Sequence, residues 1–234
     1  MTTAAALSRY ADLPALIGLM EGDEKHRGAA HSTLDVVWVL YDRVLAVTPD
    51  TAEDPARDRF LLSKGHGPAA FYAVLAAKGF LDVSVLRGWA AFDSPLGHHP
   101  DRVLVPGAEI GSGSLGHGLP LGLGTALGLR AQRIRRPDGA EPRVVVLVGD
   151  GELDEGSNHE AVAVAGRLGV DHLTVVVVDN ASSGHGWPGG IGTRFAAEGW
   201  EARDVSGRDQ DALYEALTRP HTGRPLAVVA RVRP

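Results

Sequence analysis

The chain has 234 residues, 44% of them hydrophobic, which is enough for one large single-core domain. It contains no cysteine, which excludes disulfides and thiolate-bound metals. A net charge of −6 with interspersed signs argues against a basic nucleic-acid-binding face, and apolar runs such as Val175 to Val178 are strand-sized, too short for a membrane span. Met1 to Leu7 lacks the basic flank and long apolar core of a signal peptide, so a cytoplasmic location is expected.

Amphipathic helices are predicted over Leu7–Asp23 and Leu34–Ala46, the second carrying Leu34, Val37, Trp38, Tyr41 and Leu45 at helical spacing, a core stripe. Arg59–Leu62 reads as a short buried strand, followed by helices at Ala69–Lys78, ended by Gly79, and at Val83–Phe92. Residues 93–116 are rich in Gly, Pro, Ser and His, a long loop of the kind that carries function in compact domains. Helix returns over His117–Arg135; the cluster Arg130, Arg133, Arg135 and Arg136 reads as its charged end, favoured by the helix dipole. Then come a strand (Arg143–Val148), a helix (Gly156–Leu168), a strand (Leu173–Val178), a glycine-rich loop (Ala181–Thr193), a helix (Asp209–Leu217) and a last strand (Leu226–Val232). Strands alternating with helices predict an α/β fold, a parallel sheet with helices on both faces, as one domain over residues 1–234.

The chemistry concentrates where strands end. Gly149-Asp150-Gly151 closes one strand and Asp179-Asn180 closes the next. In a parallel sheet both ends reach the same edge, where open α/β folds bind ligands. Asp150 and Asn180 then offer two hard oxygen ligands suited to Mg²⁺ or Ca²⁺, and the flanking glycines let backbone N–H groups approach a phosphate. Upstream lie glycine-flanked histidines: His26-Arg27-Gly28, Ser63-Lys64-Gly65-His66-Gly67, Gly97-His98-His99-Pro100 and Gly113-Ser114-Leu115-Gly116-His117-Gly118. Several such sites together suggest a shared polar pocket.

Asp58-Arg59-Phe60-Leu61-Leu62-Ser63-Lys64-Gly65-His66-Gly67 resembles the D-R-F-x-L-S-x-G-H-G segment of transketolases. Gly107-Ala108-Glu109 with Gly113 to Gly118 resembles their G-x-E…G-S-L-G-x-G loop, and Gly149 to Glu160 resembles GDGxxxEGxxxE. Arg194-Phe195 with Gly199-Trp200 also fits, so the motifs run in family order over roughly residues 20–200. The chain is similar to the N-terminal, diphosphate-binding half of transketolase encoded as a separate subunit.

That resemblance implies thiamine diphosphate and Mg²⁺ (or Ca²⁺) as cofactors, with Asp150, Asn180 and the Ser182 carbonyl holding the metal. Gly149, Asp150, Gly151, Glu152, Asn180, Ser182 and His66 would form the cofactor's diphosphate end, and Gly113 and Leu115 would line its aminopyrimidine and thiazolium region. The implied catalytic residues are His26, His66 and His99, facing the substrate's hydroxyls and carbonyl, with Glu155 and Glu160 as interface carboxylates linking two active sites. His99 is taken over His98 for its fit to G-H-P. Carboxylates at a helix start are also favoured by the dipole alone. The pyrimidine-binding domain is expected on a second polypeptide, in an α2β2 heterotetramer. The implied reaction is transfer of a two-carbon ketol unit from a ketose to an aldehyde. An α-subunit of a 2-oxo acid dehydrogenase-like complex, an acyloin-forming enzyme and a non-catalytic scaffold are the alternatives.

The chain departs from the family at four places. Glu24-Lys25-His26-Arg27-Gly28 puts charges where a small residue and glycine are usual. Ala181-Ser182-Ser183-Gly184 replaces a bulky aliphatic pattern, and His185 stands where an aspartate is common. The family's later His-Gly segment has no counterpart before Pro234, so its role is expected to be dispensed with or filled by the partner.

Overall fold

A computed structural model describes residues 8–20, 27–184, 186–221 and 223–232, with residues 27–30 described by backbone alone. Five strands, β1 (Arg59–Leu62), β2 (Val144–Gly149), β3 (Leu173–Asp179), β4 (Glu201–Ser206) and β5 (Leu226–Arg231), form one sheet in the order β1-β2-β3-β5-β4. Every pairing is parallel. The unbroken apolar runs explain the interior strands: β2 is buried throughout, and β3 along all but its last residue, as strands covered on both faces must be.

Each face carries its own core. One packs Phe60, Val145, Leu147, Val176 and Val228 against α1 (Leu13–Ile17), α2 (Arg27–Val39), α3 (Ala69–Ala77) and α7 (Gln210–Thr218). The other packs Leu61, Val146, Val148, Val175 and Val177 against α4 (Gly118–Ala131), α5 (Gly156–Arg167) and α6 (Ile191–Ala197). Leu34, Val37, Trp38, Tyr41 and Leu45 are all buried, as their spacing predicts. Tyr41 sits edge-on to Phe60 and Phe80 at centroid separations of 5.6 and 5.8 Å. Gly79 ends the α3 region at φ +81°, the left-handed geometry that suits a C-cap.

Several boundaries differ from the sequence reading. Over the described part of 7–23 the helix is a 3₁₀ turn (Tyr10–Asp12) and the short α1. The helix expected at Leu34–Ala46 begins earlier, at Arg27, and ends in a π-turn over Leu40–Val44. The helix expected at Val83–Phe92 is a 3₁₀ turn (Val83–Gly88), capped by Asp82 on the Ser84 N–H at 2.8 Å and stopped by extended Trp89 and left-handed Ala90. Strand β4 and helix α6 are additional. The β4 segment hides its pattern because Arg203 is buried, bonded to Glu201 and the Ala216 and Arg219 carbonyls. Among the described residues no helix is long and apolar enough to cross a membrane.

Helix α4 lies close on β2 because of Gly122, where an added Cβ would run into Val146 Cγ2. Gly124, two residues on, faces open space with helical φ. Gly122→Ala is therefore expected to lower unfolding free energy by about 1–3 kcal/mol and Gly124→Ala to raise it by about 0.5–1 kcal/mol. Urea titrations giving both variants the same sign would refute this packing.

Candidate active site

The C-terminal ends of β1, β2 and β3 supply the site. Register pairs Leu62 with Leu147 and Gly149 with Val178, so Ser63-Lys64, Asp150 and Asn180 leave the sheet at one edge. The Asp150 N–H still donates to the Val178 carbonyl at 3.1 Å, holding the turn to β3. The Asp150 carboxylate then accepts from the loop beyond Asn180: Ser182 N–H at 2.6 Å, Ser182 Oγ at 2.7 Å and Ser183 N–H at 3.0 Å. An ideal Cβ on Gly151 would stand 3.6 Å from the Ser182 carbonyl oxygen, so this oxygen lies beside the glycine turn.

Asn180 Oδ1 is buried without a hydrogen-bond partner among the described residues. A buried amide oxygen left unpaired is costly unless something else binds it. A carboxylate, an orphan amide oxygen and a carbonyl beside a glycine turn make an all-oxygen donor set that fits a hard divalent cation. Another acidic group, Glu141, Asp171 and His172, lies at the opposite strand ends. Arg135 meets Glu141 at 3.1 Å and Arg130 meets Asp171 at 3.3 Å, which makes it an ion-pair cluster. Arg130, Arg135 and Arg136 of the arginine cluster thus pair with acids, Arg136 reaching Asp58 at 3.2 Å.

Glu152 is buried at the centre of the site, and its carboxylate turns inward. It accepts from Ser63 Oγ, from the Gly116 N–H at 3.1 Å and from the Gly149 N–H at 3.4 Å. Ser63 Oγ in turn accepts the Gly118 N–H at 3.0 Å. Sequence reasoning groups Glu152 with cofactor ligands; the structure gives its oxygens protein partners. Burial raises its carboxyl pKa, against the lowering effect of those hydrogen bonds and of Lys64. Lys64 is also buried, its stem passing over Gly149. Burial pulls its ammonium down from 10.5 to about 8, opposed by the charges of Asp150 and Glu152.

His66 and His99 come together with ring centroids 5.5 Å apart, edge to face. Gly113 lies against His99: at φ +114° it has no Cβ, and one would fall 2.6 Å from His99 Cδ2. His98 instead sits edge-on to Trp89 at 5.1 Å. Leu115 is half-buried in the same loop. Glu155 and Glu160 are exposed, Glu155 as N-cap of α5. His26 and His185 lie outside the described residues.

Other motif positions build scaffold. Glu109 forms a bidentate pair with Arg57, both bonds 3.0 Å. Asp58 is buried and accepts the Ala46 and Arg143 N–H groups at 2.9 and 2.7 Å. Phe195 and Trp200 are core residues, with Trp200 Nε1 donating to the Val162 carbonyl at 2.8 Å.

Residues 16–232 match the family described as transketolase, thiamine diphosphate binding domain. The chain is 56% identical to "Ferredoxin fas2" of Rhodococcoides fascians over 95% of its own length and 72% of that protein's. It is 33% identical to an apulose-4-phosphate transketolase subunit of Actinobacillus succinogenes, over 88% of this chain and 75% of the relative. Transketolase from Leishmania mexicana superposes with a TM-score of 0.76 at 25% identity, covering 96% of this chain and 37% of that one. The chain thus spans little more than a third of the solved transketolase. A parallel sheet, the glycine-turn edge and these matches agree: the chain belongs to the transketolase family, as a thiamine-diphosphate-binding domain.

Proposed function

We propose that the chain is the thiamine-diphosphate- and Mg²⁺-binding subunit of a split transketolase-like enzyme that moves a two-carbon ketol unit from a ketose to an aldehyde. The observation that carries the reading is the orphan Asn180 oxygen at the same sheet edge as Asp150, at the ends of adjacent parallel strands. Two relatives are named as single subunits of an apulose-4-phosphate transketolase, which supports a second, pyrimidine-binding polypeptide here. An α2β2 assembly fits that division, with exposed Glu155 and Glu160 at the interface. The name "ferredoxin" on another relative has no counterpart in this chain's chemistry, because without cysteine there is no thiolate for an iron–sulfur cluster.

When bound, thiamine diphosphate supplies the electron sink for breaking and making the carbon–carbon bond beside a carbonyl. The chain's own groups bind and orient. Asp150, Asn180 Oδ1 and the Ser182 carbonyl would hold Mg²⁺. The Gly151 N–H and His66 would bind the diphosphate, while Gly113 and Leu115 would line the rings. Lys64, largely protonated at neutral pH, places a buried cation beside Asp150 and suits a site for a polyanion. His66 and His99 hold and move protons at substrate oxygens, a task suited to imidazole near neutrality. His26 joins them by its motif. The reaction takes place in the cell interior, where no disulfide is needed.

Three measurements test this. Asp150→Ala removes the main anionic metal ligand, so calorimetry should lose Mg²⁺-dependent thiamine-diphosphate binding; unchanged affinity would refute the metal assignment. With its partner, the chain should form products from a ketose phosphate and an aldehyde; turnover of pyruvate alone would point to a different enzyme of this cofactor. The third test concerns Lys64. Its proton leaves near pH 8 in the folded protein and near 10.5 when unfolded, so the unfolded state holds more protons between these values. Its contribution to stability therefore rises with pH there. From pH 8 to 9.5 the wild type should gain roughly 1–2 kcal/mol relative to Lys64→Met in urea unfolding. Parallel pH profiles for the two proteins would exclude a buried ammonium.

A further inference from the structure

The three glycine motifs of the site come from distant parts of the chain, and one carboxylate touches all of them. Glu152 accepts from Ser63 at the end of β1, from Gly116 in the loop before α4 and from Gly149 at the end of β2. Ser63 extends the tie by accepting the Gly118 N–H. Asn158 anchors the same residue from below, its Nδ2 donating to the Glu152 carbonyl at 2.7 Å. Glycines make the closeness sterically available: a Cβ on Gly118 would run into Ser63, and one on Gly116 would fall 2.7 Å from Glu155 Cβ. They do not by themselves fix the loops, because glycine has the widest backbone freedom of any residue. Something must hold them.

We infer that Glu152 is a positioning residue, a buried clasp that sets the Gly113–Gly118 loop against the Gly149–Gly151 turn and so preforms the cofactor cradle. The inference rests on the proposed thiamine-diphosphate site. Both carboxylate oxygens face donors only: Oε1 meets the Ser63 hydroxyl and the Gly116 N–H, and Oε2 meets the Gly149 N–H. A carboxamide of the same shape cannot satisfy this set. With its oxygen on Ser63 and Gly116, its NH₂ meets the Gly149 donor; turned over, it meets the Gly116 donor. One backbone N–H is lost either way, and the loop joined to it is released. Preorganisation of this kind acts on affinity by removing the cost of ordering loops when ligand arrives.

The test uses the full chain with two readouts: calorimetric titration of the chain, paired with its partner subunit, with thiamine diphosphate in Mg²⁺, and hydrogen exchange of the Gly116, Gly118 and Gly149 amides without ligand. Glu152→Gln should remain folded, with Kd raised roughly ten-fold and those amides exchanging roughly ten-fold faster. Ser63→Ala, which orphans the Gly118 N–H, should act the same way, and the double variant should fall short of the product of the single effects. A lower Tm with wild-type Kd and wild-type exchange well below Tm would reduce Glu152 to a general structural role and overturn the inference. Should the wild-type pair itself show no binding, the proposed cofactor function fails, while the exchange measurement still decides whether the clasp exists.

Discussion

Parallel pairing of β1, β2 and β3 is the constraint on which the site depends. Because all three strands run the same way, the residues that follow them, Ser63, Asp150 and Asn180, emerge on one edge. A slip of one residue would send alternate side chains to the opposite face and exchange the two cores. That register is held by apolar burial on both faces of the strands, so the geometry of the polar edge is fixed by forces that act well away from it.

The same edge collects charge in a setting that water reaches poorly. Asp150, Glu152 and Lys64 are all buried. Such groups are tolerable only when each has partners, and here most of the partners are backbone amides of the loops themselves. Loop conformation and charge burial are therefore one problem with one solution. Three buried side-chain oxygens, of Ser112, Asn158 and Asn180, have no hydrogen-bond partner among the described residues, and Asn180 follows the strand paired with the one that Asp150 follows.

Much of this is legible in the sequence, and the parts that are not have physical causes. The apolar runs of β2, β3 and β5 and the strand-end residues Asp150 and Asn180 announce themselves, because burial on two faces leaves an uninterrupted pattern. Strand β4 does not, since its arginine pairs with Glu201 in the same strand and is buried by bonds to the Ala216 and Arg219 carbonyls, 13 and 16 residues on, which no local window contains. Motif letters divide in the same way. Within one segment Asp58 anchors strand starts while Ser63 and His66 belong to the site, and Glu109 pairs with Arg57 far in sequence. Glu152 reads as a ligand in the linear motif because its partners are 89 and 36 residues distant. His66 packs on His99, whereas His98 packs on Trp89, a division that no spacing in the linear sequence reveals.

The two ends of the sheet are fastened by different means. Around the strand starts, Glu141, Asp171, Arg130 and Arg135 form partly exposed ion pairs, whereas the opposite edge is laced by short bonds between amides and buried carboxylates. Mobile ions screen the first kind within about 10 Å at 0.1 M ionic strength and barely reach the second. Added salt therefore acts first on the fastenings of the strand starts and much less on the bonds that lace the opposite edge.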